Sequence, residues 1–524
     1  MKFRRLFAVL MAVMMIATLF AGCRKQDADN DVKNEPKTEK DIVYDAFLNT
    51  FGVESKLASE LNILARQEAM ANGAAEAGAT ITLDMLSGLE DLEGLAVSME
   101  VEADEEASES YVKLGTAYGD DELAAEIYFD GEKLYAGSDD LLGDNVLTLN
   151  LAEDLLTQMQ NSPLFSSMLE DITTDAEDIF ESLPDYMEQS KEISAQMKTL
   201  FVGFADSEAV KEFNEDLTIA KGEKESFAFG DEDVDCQGYE VKIAANDLAK
   251  FICAAGDYFV ESDALEAYAD YMYDMTGEDM GLEDIREEWA LASAALEEEL
   301  EDALKEYSIV IYIYDETVVA IDVAVTVGAD DMEETITITY KNNGGSNGFA
   351  NAEIEVAVAE AVVALITEEE VSEDEITSTM VIEVSDAAYS VKVLEGEVTY
   401  NTDDATLSAT IAIADEAEVT LEAEVTENTK SRLGMNISEL TISAYDEDLL
   451  ILSMEVFCGE LTDGVTSLEG TELDIMTATE DDVMSLLTTA QTALGGMTDF
   501  AELINLFVYA ETDVVPEYDY NYGY

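Results

Sequence analysis

Three short runs have the residue types and spacing of known catalytic or metal-binding chemistry, and each lacks a part. Gly344-Gly345-Ser346-Asn347-Gly348 fits G-x-S-x-G, the turn that exposes a nucleophilic serine. Such a serine needs an imidazole to take its proton, and the chain contains no histidine. The same absence removes cysteine–histidine nucleophiles, imidazole metal ligands and histidine pH switches. Ser110-Tyr111-Val112-Lys113 fits S-x-x-K, which works from a helix start with a later K-T-G. Here the run reads as strand and no K-T-G follows. Asp231, Asp233 and Asp235 take positions 1, 3 and 5 of a calcium loop. Cys236 then stands where glycine is needed and Lys242 where glutamate is needed, so only weak calcium binding by the aspartates is left. Paired acids for glycoside hydrolysis cannot be picked by spacing, because D/E-x-D/E arises by chance about 27 times at this acid content.

The chain opens on chemistry of a different kind. Lys2, Arg4 and Arg5 precede an apolar run, Leu6 to Phe20, broken only by Thr18. That run is shorter than the roughly 20 residues of a spanning helix and has the build of a secretory signal. Ala21 and Gly22 follow, then Cys23 and the polar stretch RKQDADNDVKNEPKTEK. The order resembles a bacterial lipoprotein signal, with Phe20 where leucine is usual. The resemblance implies cleavage between Gly22 and Cys23 and attachment of a lipid with two acyl chains to the Cys23 thiol. Two acyl chains anchor stably where one does not. Residues 24–40 hold five basic and five acidic residues and read as a tether.

Composition limits the partners. The chain has 25 Lys+Arg against 119 Asp+Glu, a net charge of −94, yet 48% of its residues are hydrophobic. Disordered acidic chains are poor in apolar residues, so this balance implies a folded body with an acidic surface. Such a surface repels phosphates, which excludes nucleic acid as a partner. Beyond Cys23, the cysteines Cys236, Cys253 and Cys458 are odd in number and form no C-x-x-C, so no zinc site or redox pair is indicated. One Cys236–Cys253 disulfide is an option outside the cell.

Periodicity supplies the elements. Residues 41–72 read helical, with Ile42, Val43, Ala46, Phe47 and Phe51 on one face. From Thr80 to Asn150 the period is two: in DELAAEIYF, Leu123, Ala125, Ile127 and Phe129 alternate with their neighbours. Asp130-Gly131 then signals a hairpin. Asn150 and Glu153 predict a capping box, opening helical pattern to about 217. A strand at Tyr239–Ala244 leads to helices carrying Leu248, Phe251 and Ile252, then Ile285, Trp289, Leu296, Leu300 and Leu304. After Tyr307 nearly everything to 476 is strand; Val419, Leu421, Ala423 and Val425 oppose a row of acids and threonines. One apolar and one wet face mark antiparallel sheets, and short connections a meander. Thr479-x-x-Asp482 opens a last helix, with another over Phe500, Leu503, Ile504 and Phe507.

The fold class expected is α+β, a large curved antiparallel meander packed against several helices, with terminal helices after the strand-rich C-terminal half. The turn cluster Asn342–Gly348 suggests a boundary. The organisation reads as signal 1–22, anchored linker 23–40, an α+β domain 41–345, a β-region with helices 346–510, and a Tyr-rich tail 511–524. Element order in 41–341, with IYFDGEKLYAG and CQGYEVKIAANDLAKFI, resembles the half-barrel of lipoprotein-carrier and lipid-binding lipoproteins. That resemblance implies a sheet closing over helices around an apolar cavity. No cofactor is expected. The function expected is a non-catalytic binding or interaction module, lipid-anchored on the outer face of the bacterial cell membrane, for an envelope component. The alternatives are a carrier of a lipid or other apolar ligand, and a carboxylate-based envelope hydrolase.

Overall fold

A computed structural model describes residues 37–70, 74–104, 106–152, 155–165, 207–276, 280–303, 306–327, 334–345, 347–386, 388–414, 416–445, 447–501 and 503. It also describes 189, 193, 195–197, 199–200 and 203–204. The signal, the Gly22–Cys23 junction, most of the tether, Glu153, Ser346 and the 511–524 tail lie outside them.

Helices α1 (Glu39–Phe51), α2 (Lys56–Glu60) and α3 (Ile63–Met70) come first. Strands β1 (Ala74–Leu86), β2 (Ala96–Asp104), β3 (Glu109–Tyr118), β4 (Asp121–Phe129) and β5 (Lys133–Gly137) follow. Next are α4 (Asp139–Leu142), β6 (Asn145–Asn150), α5 (Leu155–Asn161) and α6 (Glu208–Asp216). β7 (Thr218–Phe229) and β8 (Glu232–Lys242) lead to α7 (Ala245–Val260), α8 (Asp263–Thr276) and α9 (Leu282–Ala303). Then come β9 (Glu306–Tyr314), β10 (Thr317–Val327), β11 (Glu334–Asn342), β12 (Ala352–Val358), β13 (Ala361–Val371) and β14 (Glu375–Ser385). β15 (Ser390–Asn401), β16 (Thr406–Ile413), β17 (Ala417–Asn428), β18 (Arg432–Ala444), β19 (Glu447–Glu460), β20 (Thr471–Asp474) and α10 (Glu480–Gly496) complete the chain. The class is α+β, dominated by antiparallel sheet.

The chain divides into two compact units, 1–57 with 185–397 and 58–184 with 398–524. The boundary expected near 345 is not among these divisions. Asn342–Gly348 joins β11 to β12 inside the first unit, and its backbone is tied to α1, where the Gly348 amide donates to the Thr50 carbonyl at 2.6 Å. A loop between two strands is also no strand-to-helix elbow, which disposes of the G-x-S-x-G match.

In the first unit, β7 to β14 pair antiparallel in chain order. α1, α6 and α7 bury one face of this meander. Val43, Phe47, Val210, Phe213, Leu248 and Phe251 meet Val241, Ile309, Ile311, Ile321, Val323 and Ile338 there. Thr38 starts α1 with a capping box, its hydroxyl accepting from the Asp41 amide while Asp41 accepts from the Thr38 amide. The buried Thr50 hydroxyl donates to the Ala46 carbonyl (2.6 Å) and accepts from the Val318 amide (2.8 Å), locking α1 to β10. Gly256 on α7 has no side chain because the Trp289 ring of α9 lies where a Cβ would stand.

The reverse face of this sheet holds a smaller cluster of Val234, Cys236, Tyr312, Val319 and Ala320. Cys236 and Cys253 are both thiols, so the disulfide considered above does not form. Cys236 sits beneath the sheet, while the Cys253 thiol donates to the Ser293 carbonyl across two helices. Burial pushes the Cys236 thiol up to about 11. Thiolate is the reactive form, so native Cys236 should resist iodoacetamide at neutral pH and react only after unfolding, as peptide mapping would show.

The second unit interleaves distant parts of the chain. β6, β5, β4, β3, β2 and β1 pair antiparallel, β1 then pairs with β19, and β18, β17 and β16 continue. β20 pairs parallel with β6 at the far edge. A pure meander was expected; the β1–β19 pairing and the parallel β20 depart from it. The Asp130-Gly131 hairpin is present, with Gly131 at φ 93° and the Asp130 carboxylate accepting from the Glu132 and Lys133 amides. Thr479 and Asp482 form the expected capping box of α10.

Candidate functional site

In the second unit the residues that alternate along β1–β4 place one aliphatic face on the sheet. Three rows run across it in register: Ala77, Val101, Val112 and Ile127; Ala79, Met99, Leu114 and Ala125; Ile81, Val97, Thr116 and Leu123. β19 and β18 extend the rows with Cys458, Val456 and Met454, then Leu433, Met435 and Ile437. A face of this composition is normally buried. Here Ile81, Val97, Met99, Leu114 and Ile127 remain 39–53% exposed. The one polar side chain within the three β1–β4 rows, Thr116, turns its hydroxyl to the Ala96 carbonyl at 3.1 Å.

The opposite face is polar and covered. Glu102, Tyr111, Tyr128, Tyr135 and Thr148 line up across β2 to β6, and all but Tyr135 are buried. The Glu102 carboxylate accepts from the Thr466 amide (2.6 Å) and hydroxyl (3.0 Å), which holds the segment after β19 over this side. Tyr111 donates to Glu126 and Tyr135 to Asp130, each at 2.9 Å. Burial, reinforced by those acceptors, raises both phenols, Tyr135 to about 12 and Tyr111 further. Along this row the usual burial is inverted: its polar side chains are closed off, while five aliphatic ones on the other face stay open.

The first unit has a groove of about 530 Å³ lined by Asp216, Glu240, Lys242, Asp247 and Tyr307, among others. Lys242 pairs with Glu240 at 3.0 Å. The carboxyl groups held above their ordinary range lie elsewhere. Glu76 is raised by burial against the opposing pull of Arg432, and Asp322 by burial and Glu225 against Lys341. Neither lines the groove.

The other sequence candidates are scattered. Asp231 lies in the β7–β8 turn; Asp233 and Asp235 point outward from β8, alternating with buried Val234 and Cys236. Among the described residues no three acids or cysteines gather as a metal site. Ser110 and Lys113, three apart on β3, face opposite sides of the sheet, and Lys113 pairs with Glu126. Among the described residues no helix is long and apolar enough to cross a membrane.

No protein-family model matches the chain, and no curated protein is significantly similar to it. Alternation in DELAAEIYF reveals which residues share the aliphatic face. It carries no signal that the face is open, because exposure depends on what packs above it.

Proposed function

We propose that this chain is a non-catalytic, lipid-anchored binding protein on the outer face of the bacterial cell membrane, and that the aliphatic face of β1–β4 is its ligand surface. The carrying observation is that open face. Of the twelve side chains in its three rows, eleven are Ala, Val, Ile, Leu or Met. Protein partners usually meet a surface with hydrogen bonds, about one per 100–200 Å². The polar side chains Ser110, Tyr118 and Asp121 lie at the ends of this face and only Thr116 within the three rows, so its middle suits hydrocarbon, which supports an apolar or lipid ligand over a protein. Covering five half-exposed side chains contributes about 4–7 kcal/mol before the cost of association, so the face alone gives modest affinity.

The address rests on the order of charge, apolar run, small pair, cysteine and polar stretch at the N-terminus. Mass spectrometry of the mature N-terminus should find Cys23 first and acylated; an unmodified Cys23 in an uncut chain would overturn the anchor. Ligand binding is tested with an uncharged apolar dye such as Nile red. The full chain should enhance its fluorescence, and an added fatty acid should displace it. No enhancement would overturn the binding reading.

A further inference from the structure

Resting on that binding reading, we infer that the ligand is an anionic amphiphile whose headgroup, a carboxylate or a phosphate monoester, is held by Arg66. Arg66 lies on α3 and is only 4% exposed. A guanidinium stays charged at any relevant pH, and burying it without a counter-charge is costly. Its Nη2 donates to the carbonyls of Leu61 (2.8 Å) and Thr429 (3.3 Å) and to the Asn428 side-chain oxygen (3.3 Å), all neutral acceptors. Its Nε is buried and has no partner. Among the described residues no carboxylate pairs with it. That is unexpected in a chain with 119 acidic residues and 25 Lys+Arg. Arg432, Arg286 and Lys341, all more exposed, each have glutamate partners.

The position of Arg66 relates it to the aliphatic face. Its partner Asn428 is opposite Leu433, which is opposite Cys458, and the same row continues through Ala77, Val101, Val112 and Ile127. Residues directly opposed in antiparallel strands project to the same side. Arg66 therefore hydrogen-bonds a side chain at the end of an aliphatic row, and its helix packs on β19. With strands ~4.8 Å apart, Ala77 lies about 14 Å and Val101 about 19 Å along the row from Asn428. One leaflet of a bilayer is about 15 Å of hydrocarbon, so an acyl chain of that length with its head at Arg66 reaches β1, the near edge of the open face. The buried charge also answers the field of the whole molecule. A net charge of −94 repels anions in solution, and a cation inside the fold, being poorly screened, offsets this locally.

The test is competitive native mass spectrometry of the delipidated full chain with oleate, lysophosphatidate and uncharged monoolein. The wild type should take up both anionic amphiphiles at least about tenfold over monoolein, as a charge-assisted hydrogen bond supplies. Arg66→Gln should bring all three to one level, whereas Arg66→Lys should keep most of the preference and so guards against a folding defect. Inorganic phosphate should not compete with oleate; competition would make Arg66 a free-anion site and overturn the inference. An intact preference in Arg66→Gln would overturn it too. So would wild-type binding of all three alike, and that result would leave the aliphatic face standing as a ligand surface. Binding of none would remove both.

Discussion

Phe47→Ala should lower the stability of the first unit by about 3–5 kcal/mol. Phe47 is fully buried in the main cluster and stacks 5.5 Å from Phe51. Its helix has little room to follow the vacated volume, because Thr50 fixes one end to β10 and the Tyr44 hydroxyl, donating to the Asn214 side-chain oxygen at 2.8 Å, ties its middle to α6. A cavity that cannot collapse costs the most. Phe47→Leu, which keeps much of the volume, should cost clearly less. Urea unfolding followed by the fluorescence of Trp289 checks both, since it is the single tryptophan of the chain and belongs to the first unit.

Met99→Glu combined with Leu114→Glu should do the reverse, leaving the fold intact and removing the ligand. The two residues are directly opposed on β2 and β3 and half exposed. Two like charges facing each other across strands cost up to about 1 kcal/mol, and other surface losses are small. A hydrocarbon ligand would instead have to cover two carboxylates without hydrogen-bond partners. Desolvating even one of them costs several kcal/mol, so dye and fatty-acid affinity should fall by about a hundredfold or more. The Nile red titration measures the loss, and urea midpoints show that the fold survives. Undiminished binding by this variant would place the ligand elsewhere.

Much of the local structure was legible in the residues. Thr479–Asp482 marks α10, Asp130-Gly131 marks a hairpin, and period-two alternation marks the strands. Each of these signals acts within a few residues of itself. What was not legible depends on distant parts of the chain. The β1–β19 pairing joins residues almost four hundred positions apart, and no turn chemistry announces it. The domain limits followed for the same reason: a glycine-rich loop such as Asn342–Gly348 bends the chain but says nothing about which strands share a sheet. The half-barrel likeness implies an enclosed apolar cavity, a feature set by packing between distant elements that local periodicity does not carry. Arg66 belongs to no motif; what sets it apart is that, among the described residues, no carboxylate pairs with its buried guanidinium.

Native mass spectrometry of the chain purified from its own membranes in mild detergent bears most directly on the proposed function. The expected spectrum shows a mass beyond that of the acylated chain, matching an amphiphile, in the wild type but not in the Met99→Glu, Leu114→Glu variant. A wild-type spectrum with no added mass, or the same added mass in both proteins, would contradict the assignment of β1–β4 as the ligand surface.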